Sequence, residues 1–84
     1  MIKIENEEIN GYKSKLKRIR VSNGMTQSEL SELSGINIKS IAAYEQSPEK
    51  INKASAESIY NMSDCLGCDM EDLIEKDHIK KGGF

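Results

Sequence analysis

The sequence predicts an all-α fold of five short helices, and three observations support this prediction. Apolar residues recur at spacings of three and four, which places them on one face of an α-helix. Ser, Thr, Asn and Asp stand where helices would begin, and Gly stands where they would end. No segment alternates apolar and polar residues over the length of a β-strand. The 84 residues are enough for one small domain.

The first helix is expected to run from about Gly11 to Asn23, with Asn10 as its N-cap. Three apolar residues four and three positions apart would form its inner face: Tyr12, Leu16 and Ile19. Residues 1–9, which precede it, are a polar lead-in without a clear period.

The second helix is expected to begin after Thr26. Thr26 and Glu29 have the capping-box spacing, in which each side chain accepts a backbone N–H of the first turn. Leu30 and Leu33 would then form an apolar face at positions i and i+3. Gly35 can adopt the left-handed conformation that ends a helix.

The third helix is expected to run from Ile38 to Glu45, with Asn37 as its N-cap. Ile41 and Tyr44 would face inward. Two short helices joined by a tight turn that contains Gly form a helix-turn-helix motif.

Residues 46–53 are expected to form a loop anchored by a buried Ile51. A fourth helix would start near residue 54 or 55 and end at Gly67. Its inner stripe would consist of Ala56, Ile59, Met62, Ser63 and Leu66.

A last short helix is expected from Met70 to Glu75, with Asp69 as its cap and Leu73 facing inward. The helix-turn-helix domain would then comprise residues 10–75, and residues 76–84 would form a C-terminal tail.

Charge is distributed unevenly along the chain. The formal net charge is −2, which taken alone argues against a nucleic-acid partner. Residues 11–53, however, contain eight Lys or Arg and four Asp or Glu, whereas residues 54–84 contain three and seven. One end is therefore basic enough to face phosphates.

No apolar run approaches the ~20 residues of a transmembrane helix and the N-terminus is too polar for a secretory signal, so we expect a soluble cytoplasmic protein.

The stretch from Thr26 to Glu45 resembles the helix-turn-helix of the Cro/phage-repressor (Xre-like) family of bacterial DNA-binding regulators, and the resemblance extends from about Leu16 to Ile74. It is carried by Thr26-Gln27, Glu29-Leu30, Gly35, Ser40-Ile41 and Tyr44-Glu45. It implies a repressor-type DNA-binding domain whose third helix enters the major groove of double-stranded DNA.

The N-terminal part of the third helix would supply the base contacts. Lys39 can donate to guanine O6 and N7, and Ile38 can touch a thymine methyl group. Ile38 and Ala43 stand where many relatives carry Arg or Gln, so we expect DNA shape to contribute to specificity. The alternative is a solvated face that binds protein or nothing. The exposed candidates by position are Asn37, Ile38, Lys39, Ser40, Ala42 and Ala43.

Other residues would contact the DNA backbone. The resemblance implies that Gln27, at the start of the second helix, binds a phosphate and buttresses the recognition helix. It also implies that Lys50 and Lys53 grip the sugar-phosphate backbone, although loop lysines often serve only solubility. Basic residues of the first helix would add long-range attraction, with direct contact open to Lys17; they are Lys13, Lys15, Lys17 and Arg18.

Arg20 and Glu45 match a partly buried ion pair of the family, late in the first and third helices. The alternative is two unrelated surface charges.

Cys65 and Cys68 form a CxxC pair, which could be half of a zinc site or a redox pair. The chain has no second CxxC, and His78 is its only His. We therefore expect both cysteines to fill the core, with no metal and no cofactor. No catalytic constellation is apparent, so an enzyme is not expected.

These observations predict a sequence-specific, DNA-binding transcriptional regulator that acts as a homodimer. A repressor is favoured because occlusion of a promoter needs only occupancy of the DNA. The alternative is an antitoxin-like protein that binds a partner toxin and autoregulates through DNA binding. A purely structural helical module is a third hypothesis.

Overall fold

The computed structural model describes residues 13–75. Within this range the chain is helical and contains no strand, which confirms the predicted all-α class. The predicted lead-in, the tail and His78 lie outside the described residues. The elements in chain order are α1 (Lys15–Ser22), α2 (Gln27–Ser34), α3 (Ile38–Gln46), a first 3-10 helix (Pro48–Lys53), α4 (Ala56–Leu66) and a second 3-10 helix (Met70–Asp72).

Helix α1 begins at Lys15, so the predicted start near Gly11 is wrong. Ser14 is the N-cap: its backbone is extended, and its Oγ accepts the backbone N–H of Lys17 at 3.0 Å. Ser14 is only 2% exposed, and a capping hydroxyl stabilises the start of a helix at that residue. The predicted cap Asn10 and the predicted inner residue Tyr12 lie outside the described residues.

The helix-turn-helix is fixed by local hydrogen bonds. In the predicted capping box, Thr26 Oγ1 accepts from the N–H of Glu29 at 3.0 Å, and Glu29 Oε1 accepts from the N–H of Thr26 at 2.9 Å. Gly35 ends α2 in the left-handed conformation, with φ of 77°, as predicted. In the turn, Ser31 Oγ donates to the carbonyl oxygen of Ile36 at 2.6 Å. The direction in which α3 leaves the turn is therefore set by residues on both sides of Gly35.

The inner face of α2 differs from the predicted one. Leu30 is fully buried, but Leu33 is 64% exposed. Ser34, four residues after Leu30, is buried instead. Because one α-helical turn contains 3.6 residues, a face that includes positions 30 and 34 leaves position 33 at its edge. The prediction that Leu33 faces inward is therefore wrong.

One aliphatic core joins all the elements. Ile41 of α3 and Leu73 near the end of the described chain are both fully buried, as predicted. Ala56 is exposed, contrary to prediction, because it is the first residue of α4 and precedes the turn that packs on the core. The core consists of Leu16, Leu30, Ile41, Ile51, Ile59, Met62, Leu66 and Leu73.

The segment between α3 and α4 is more ordered than the predicted loop. Gln46 belongs to α3, and the residues from Pro48 to Lys53 form a 3-10 helix. Pro48 starts this helix and is buried, as is the predicted anchor Ile51. The last predicted helix is shorter than expected, since only Met70–Asp72 is helical and in 3-10 form.

None of the helices within residues 13–75 has the length and apolar character needed to cross a bilayer.

Candidate nucleic-acid interface

A buried ion pair lies behind α3. Arg20 Nε donates to Glu45 Oε2 at 2.7 Å, and Arg20 Nη2 donates to Glu45 Oε1 at 2.9 Å. The two side chains are 10% and 4% exposed. Arg20 Nη1 also donates to the carbonyl oxygen of Met25 at 2.7 Å. The planar guanidinium therefore joins α1, the connection to α2 and the last turn of α3, which a lysine could not do with the same geometry.

Gln27 extends this network to the start of α2. Its Nε2 donates to Glu45 Oε1 at 2.9 Å, so that Glu45 accepts three hydrogen bonds from Arg20 and Gln27. The side chain of Gln27 thus connects the first residue of α2 with the last turn of α3. Gln27 is also half-buried at a helix N-terminus, where backbone N–H groups point outward and favour an anion. The phosphate contact at this residue stays a prediction.

The N-terminal end of α3 is exposed. Asn37 caps the helix, because its Oδ1 accepts the backbone N–H of Lys39 at 2.7 Å. Lys39 is exposed, and Ile38 is 40% exposed. The remaining candidates of this helix are only half-buried: Ser40, Ala42 and Ala43. The surface that α3 offers therefore contains one exposed cation, an exposed aliphatic side chain and small residues.

A surface depression lies where the starts of α1 and α2 meet the end of α3. Gln46 stands one turn after Ala42 and two turns after Lys39, so these three residues share one side of α3. The sequence placed Gln46 in a loop and therefore missed it; extending the helical spacing from Lys39 by seven residues would have found it. The depression is lined by Lys13, Ser14, Lys17, Gln27, Ala42, Glu45 and Gln46.

The lining of the depression contains two lysines, Lys13 and Lys17, and one carboxylate, Glu45, which is bonded to Arg20. A second depression adjoins it, since Lys13 and Gln46 line both; it continues along Ser47, Pro48 and Glu49. Lys13 before α1, Lys17 within it and the end of α3 thus line one continuous polar surface.

Lys50 and Lys53 are both exposed on the first 3-10 helix. This helix follows α3 after a single residue, Ser47, whose carbonyl oxygen accepts the N–H of Lys50 at 2.9 Å. The structure therefore holds these lysines on a short helix directly attached to the end of α3, although it does not bring them into the depression described above.

The two cysteines are half-buried thiols that pack against the core at the end of α4. Burial raises the pKa of Cys65, and the charge of Asp64 adds to this effect. Burial also raises the pKa of Cys68, with further contributions from Asp72 and Asp69. These shifts favour the neutral thiol, whereas reactive or metal-binding cysteines have a lowered pKa.

Two residues with long-range contacts were missed by the sequence analysis. Asn52 hydrogen-bonds the backbone of Glu75, and the buried carboxylate of Glu75 lies at the start of α1. No local pattern could predict these contacts, because they join residues 23 and 60 positions apart.

Comparison with known proteins agrees with this architecture. A family model described as a helix-turn-helix matches residues 16–73, which include α2, the turn and α3. Searches of curated proteins and of solved structures found no match. Since the matched range covers most of the chain, the protein belongs to the helix-turn-helix family of the Cro/phage-repressor (Xre-like) type, whose members are DNA-binding regulators.

Proposed function

We propose that this protein is a sequence-specific transcriptional repressor that reads the major groove with α3. The observation that carries the proposal is the arrangement of α3 itself. Its last turn is held from behind by Arg20 and Gln27, and its first turn, with Lys39, is exposed. In helix-turn-helix proteins the N-terminal residues of the second helix of the motif contact base edges, and in this protein those residues are exposed.

The surface around α3 supports contact with phosphates. Lys13, Lys17 and Gln46 lie beside Gln27 in the depression, and Lys50 and Lys53 are exposed on the next helix. Residues 13–53 contain eight Lys or Arg and four Asp or Glu, whereas residues 54–75 contain six Asp or Glu and no Lys or Arg. The second part of the domain would therefore be repelled by DNA, which favours an orientation with α3 toward the duplex.

The test is binding to a duplex selected from random sequences, measured at several salt concentrations. Each neutralised phosphate should contribute about 0.9 to the slope of log K against log salt concentration. Lys50→Ala and Lys53→Ala should weaken binding to all sequences alike and lower this slope. A binding constant that does not change with salt would contradict the proposal.

Arg18→Ala is the matched control for charge. Arg18 is exposed on α1, but it lies about 100° around the helix axis from Lys17. Its removal changes the net charge by the same amount as either lysine substitution. We expect a smaller effect on the salt slope, because Arg18 neither lines the depression nor lies on the 3-10 helix that follows α3.

We further propose that the protein works in the cytoplasm as a homodimer on a palindromic site, because one helix reads too few base pairs for adequate discrimination. Half-sites would be about 34–36 Å apart, one turn of DNA. The dimer contact would lie in the acidic region from α4 onward, where Met70 and Ile74 are half-buried at the edge of the core. The other two residues predicted for this contact, Ile79 and Phe84, lie outside the described residues.

Sedimentation with and without a palindromic duplex tests the dimer. Two protein chains per duplex at saturation are expected, and truncation after Lys76 should impair dimerisation without unfolding α1 to α3. A single chain per palindrome at saturation would contradict it. Copurification of a second, different protein would instead favour the antitoxin-like function.

A further inference from the structure

Asn52 connects the first 3-10 helix to the end of the described chain. Its Oδ1 accepts the backbone N–H of Glu75 at 2.9 Å, and its Nδ2 donates to the carbonyl oxygen of the same residue at 3.3 Å. A side-chain amide that bonds both backbone groups of one residue fixes that residue in two directions. These two hydrogen bonds resemble those between paired residues of two β-strands, except that one partner is a side chain.

Glu75 in turn connects this pair to the start of α1. Its Oε2 accepts the backbone N–H of Lys15 at 2.7 Å, and the residue is only 3% exposed. Lys15 is the first residue of α1, where a carboxylate is stabilised by the unpaired N–H groups and by the helix dipole. Residues 52, 75 and 15 thus form one clasp that joins the first 3-10 helix, the end of the described chain and α1.

Basic residues stand close in the sequence to two parts of the clasp. Lys50 and Lys53 flank Asn52 on the exposed 3-10 helix, and Lys13 and Lys17 flank the start of α1. The buried side chains of Pro48 and Ile51 already anchor the 3-10 helix through apolar contacts. The two bonds of Asn52 add a directional polar restraint near the C-terminal end of this helix.

We propose that Asn52 is a positioning residue for DNA binding, and that through Glu75 it holds Lys50 and Lys53 at a fixed distance from the lysines of α1. The inference rests on the proposed function, since it concerns contacts between these lysines and phosphates. It assigns the C-terminal segment, which is acidic and carries no cation from residue 54 to residue 75, an indirect part in binding. The acidic segment contributes to DNA binding by orienting the 3-10 helix that carries Lys50 and Lys53.

The experiment compares Asn52→Ala with Asn23→Ala in the full chain. Asn23 is a matched control, because its Nδ2 also makes a long-range hydrogen bond, to the carbonyl oxygen of Leu66 at 3.4 Å. This bond joins the end of α1 to the end of α4 and does not involve the 3-10 helix that carries Asn52. Asn52→Ala should lower the slope of log K against log salt by about 0.9 for each phosphate that the lysines no longer neutralise. Asn23→Ala should leave the slope unchanged.

A chain that already lacks both lysines distinguishes a positioning role of Asn52 from a general effect on stability. In a chain that carries both Lys50→Ala and Lys53→Ala, the further change Asn52→Ala should no longer alter the slope, because the groups that it positions are absent. A purely structural role would produce the same decrease in stability in both backgrounds and no difference in slope. An unchanged slope for Asn52→Ala in the original background would overturn the inference.

A measurement on the unaltered chain keeps the inference testable even if Asn52→Ala does not fold. Coupling between the clasp and DNA is reciprocal, so DNA binding must stabilise the clasp as much as the clasp favours binding. Hydrogen exchange of the Glu75 N–H should therefore slow when the selected duplex is added. An unchanged exchange rate with bound DNA would overturn the inference, whereas absence of any salt-dependent binding by the unaltered chain would contradict the proposed function itself.

Discussion

The inward and outward sides of the helix-turn-helix differ in how many of their polar groups are already engaged. On the inward side, Glu45 accepts three hydrogen bonds from Arg20 and Gln27. On the outward side, α3 offers the exposed side chains of Ile38 and Lys39, and small residues follow them. The buried side contains several specific polar contacts, whereas the exposed side presents few polar side chains.

This difference separates two properties of α3. Its position depends on buried charges, for which the removal of one partner leaves the other uncompensated. Under the proposed function, the sequences that it binds depend on few exposed groups, among which Lys39 is the charged hydrogen-bond donor. Substitutions on the two sides should therefore affect different measurements: the free energy of unfolding for the inward side, and affinity and specificity for the outward side.

The largest expected effect is on the inward side. Arg20→Ala should reduce the free energy of unfolding by about 3–5 kcal/mol, because it leaves the nearly buried carboxylate of Glu45 without its ion-pair partner. Urea denaturation followed by circular dichroism measures this decrease. Arg18→Ala, an exposed arginine of the same helix, is the control and should change stability by no more than about 0.5 kcal/mol. Equal decreases for the two arginines would show that the ion pair contributes little.

The two leucines of α2 provide the next comparison. Leu30→Ala should destabilise the fold by about 2–5 kcal/mol, since it leaves a cavity in the core. Leu33→Ala should change stability by only about 0.5 kcal/mol or less, because most of this side chain is exposed. Both changes remove the same atoms from the same helix, and thermal and urea unfolding measure the difference. A large destabilisation by Leu33→Ala would mean that its side chain is covered in solution.

On the outward side, Lys39→Ala should lower affinity for the selected site by about 1–3 kcal/mol and relax the preference at one base pair per half-site. The free energy of unfolding of this variant should stay unchanged, because the side chain of Lys39 is exposed. Binding to a panel of single-base variants of the site measures both effects. Lys53→Ala is the comparison and should weaken every sequence alike. An equal effect of Lys39→Ala on all sequences would assign this lysine to the DNA backbone.

The smallest expected effect concerns the thiols. Because the pKa of Cys65 and of Cys68 is raised in the folded state, the folded chain retains protons that the unfolded chain releases. The stabilising contribution is therefore complete below the usual thiol pKa of about 8.5 and is lost as pH rises through the folded pKa. Melting curves from neutral to alkaline pH should show a modest decline, which the double variant Cys65→Ser, Cys68→Ser should reduce.

The same double variant tests the prediction that these cysteines hold no metal. It should bind DNA like the unaltered chain and differ from it only in stability. Elemental analysis that finds one zinc ion per chain in the unaltered protein would show that the cysteines are metal ligands.

Local patterns gave correct predictions for the caps and glycine ends of the helix-turn-helix and for the end of α4. The capping box of Thr26 and Glu29 and the left-handed conformation of Gly35 and Gly67 are satisfied within a single turn. The start of α1 was wrong because Asn10 and Ser14 are both good N-cap residues by type. What favours Ser14 is tertiary: Glu75, 60 residues away, accepts the first backbone N–H of the helix.

The residues of the candidate interface likewise divide into those that the sequence predicted and those that it did not. Lys39, Lys50 and Lys53 could be named from sequence because exposed cations follow from helical phase and from the resemblance to a known family. Gln46 was missed because the segment after α3 was predicted as a loop, although the buried Pro48 begins a 3-10 helix there. A short apolar spacing cannot distinguish a loop with one anchor from a 3-10 helix, since both bury the same Ile51.

The helical class and most helix ends follow from local sequence, because backbone caps and amphipathic periodicity act over about one helical turn. The same periodicity predicted the exposure of Ile38 and Lys39 at the start of α3, but it did not place Gln46 at the end of that helix. Helix packing sets the exposure of Leu33, the start of α1 and the contacts by which Asn52 and Glu75 join the first 3-10 helix to α1. These features depend on which partner covers a side chain. That choice is made when the helices pack, between residues that are far apart in the chain.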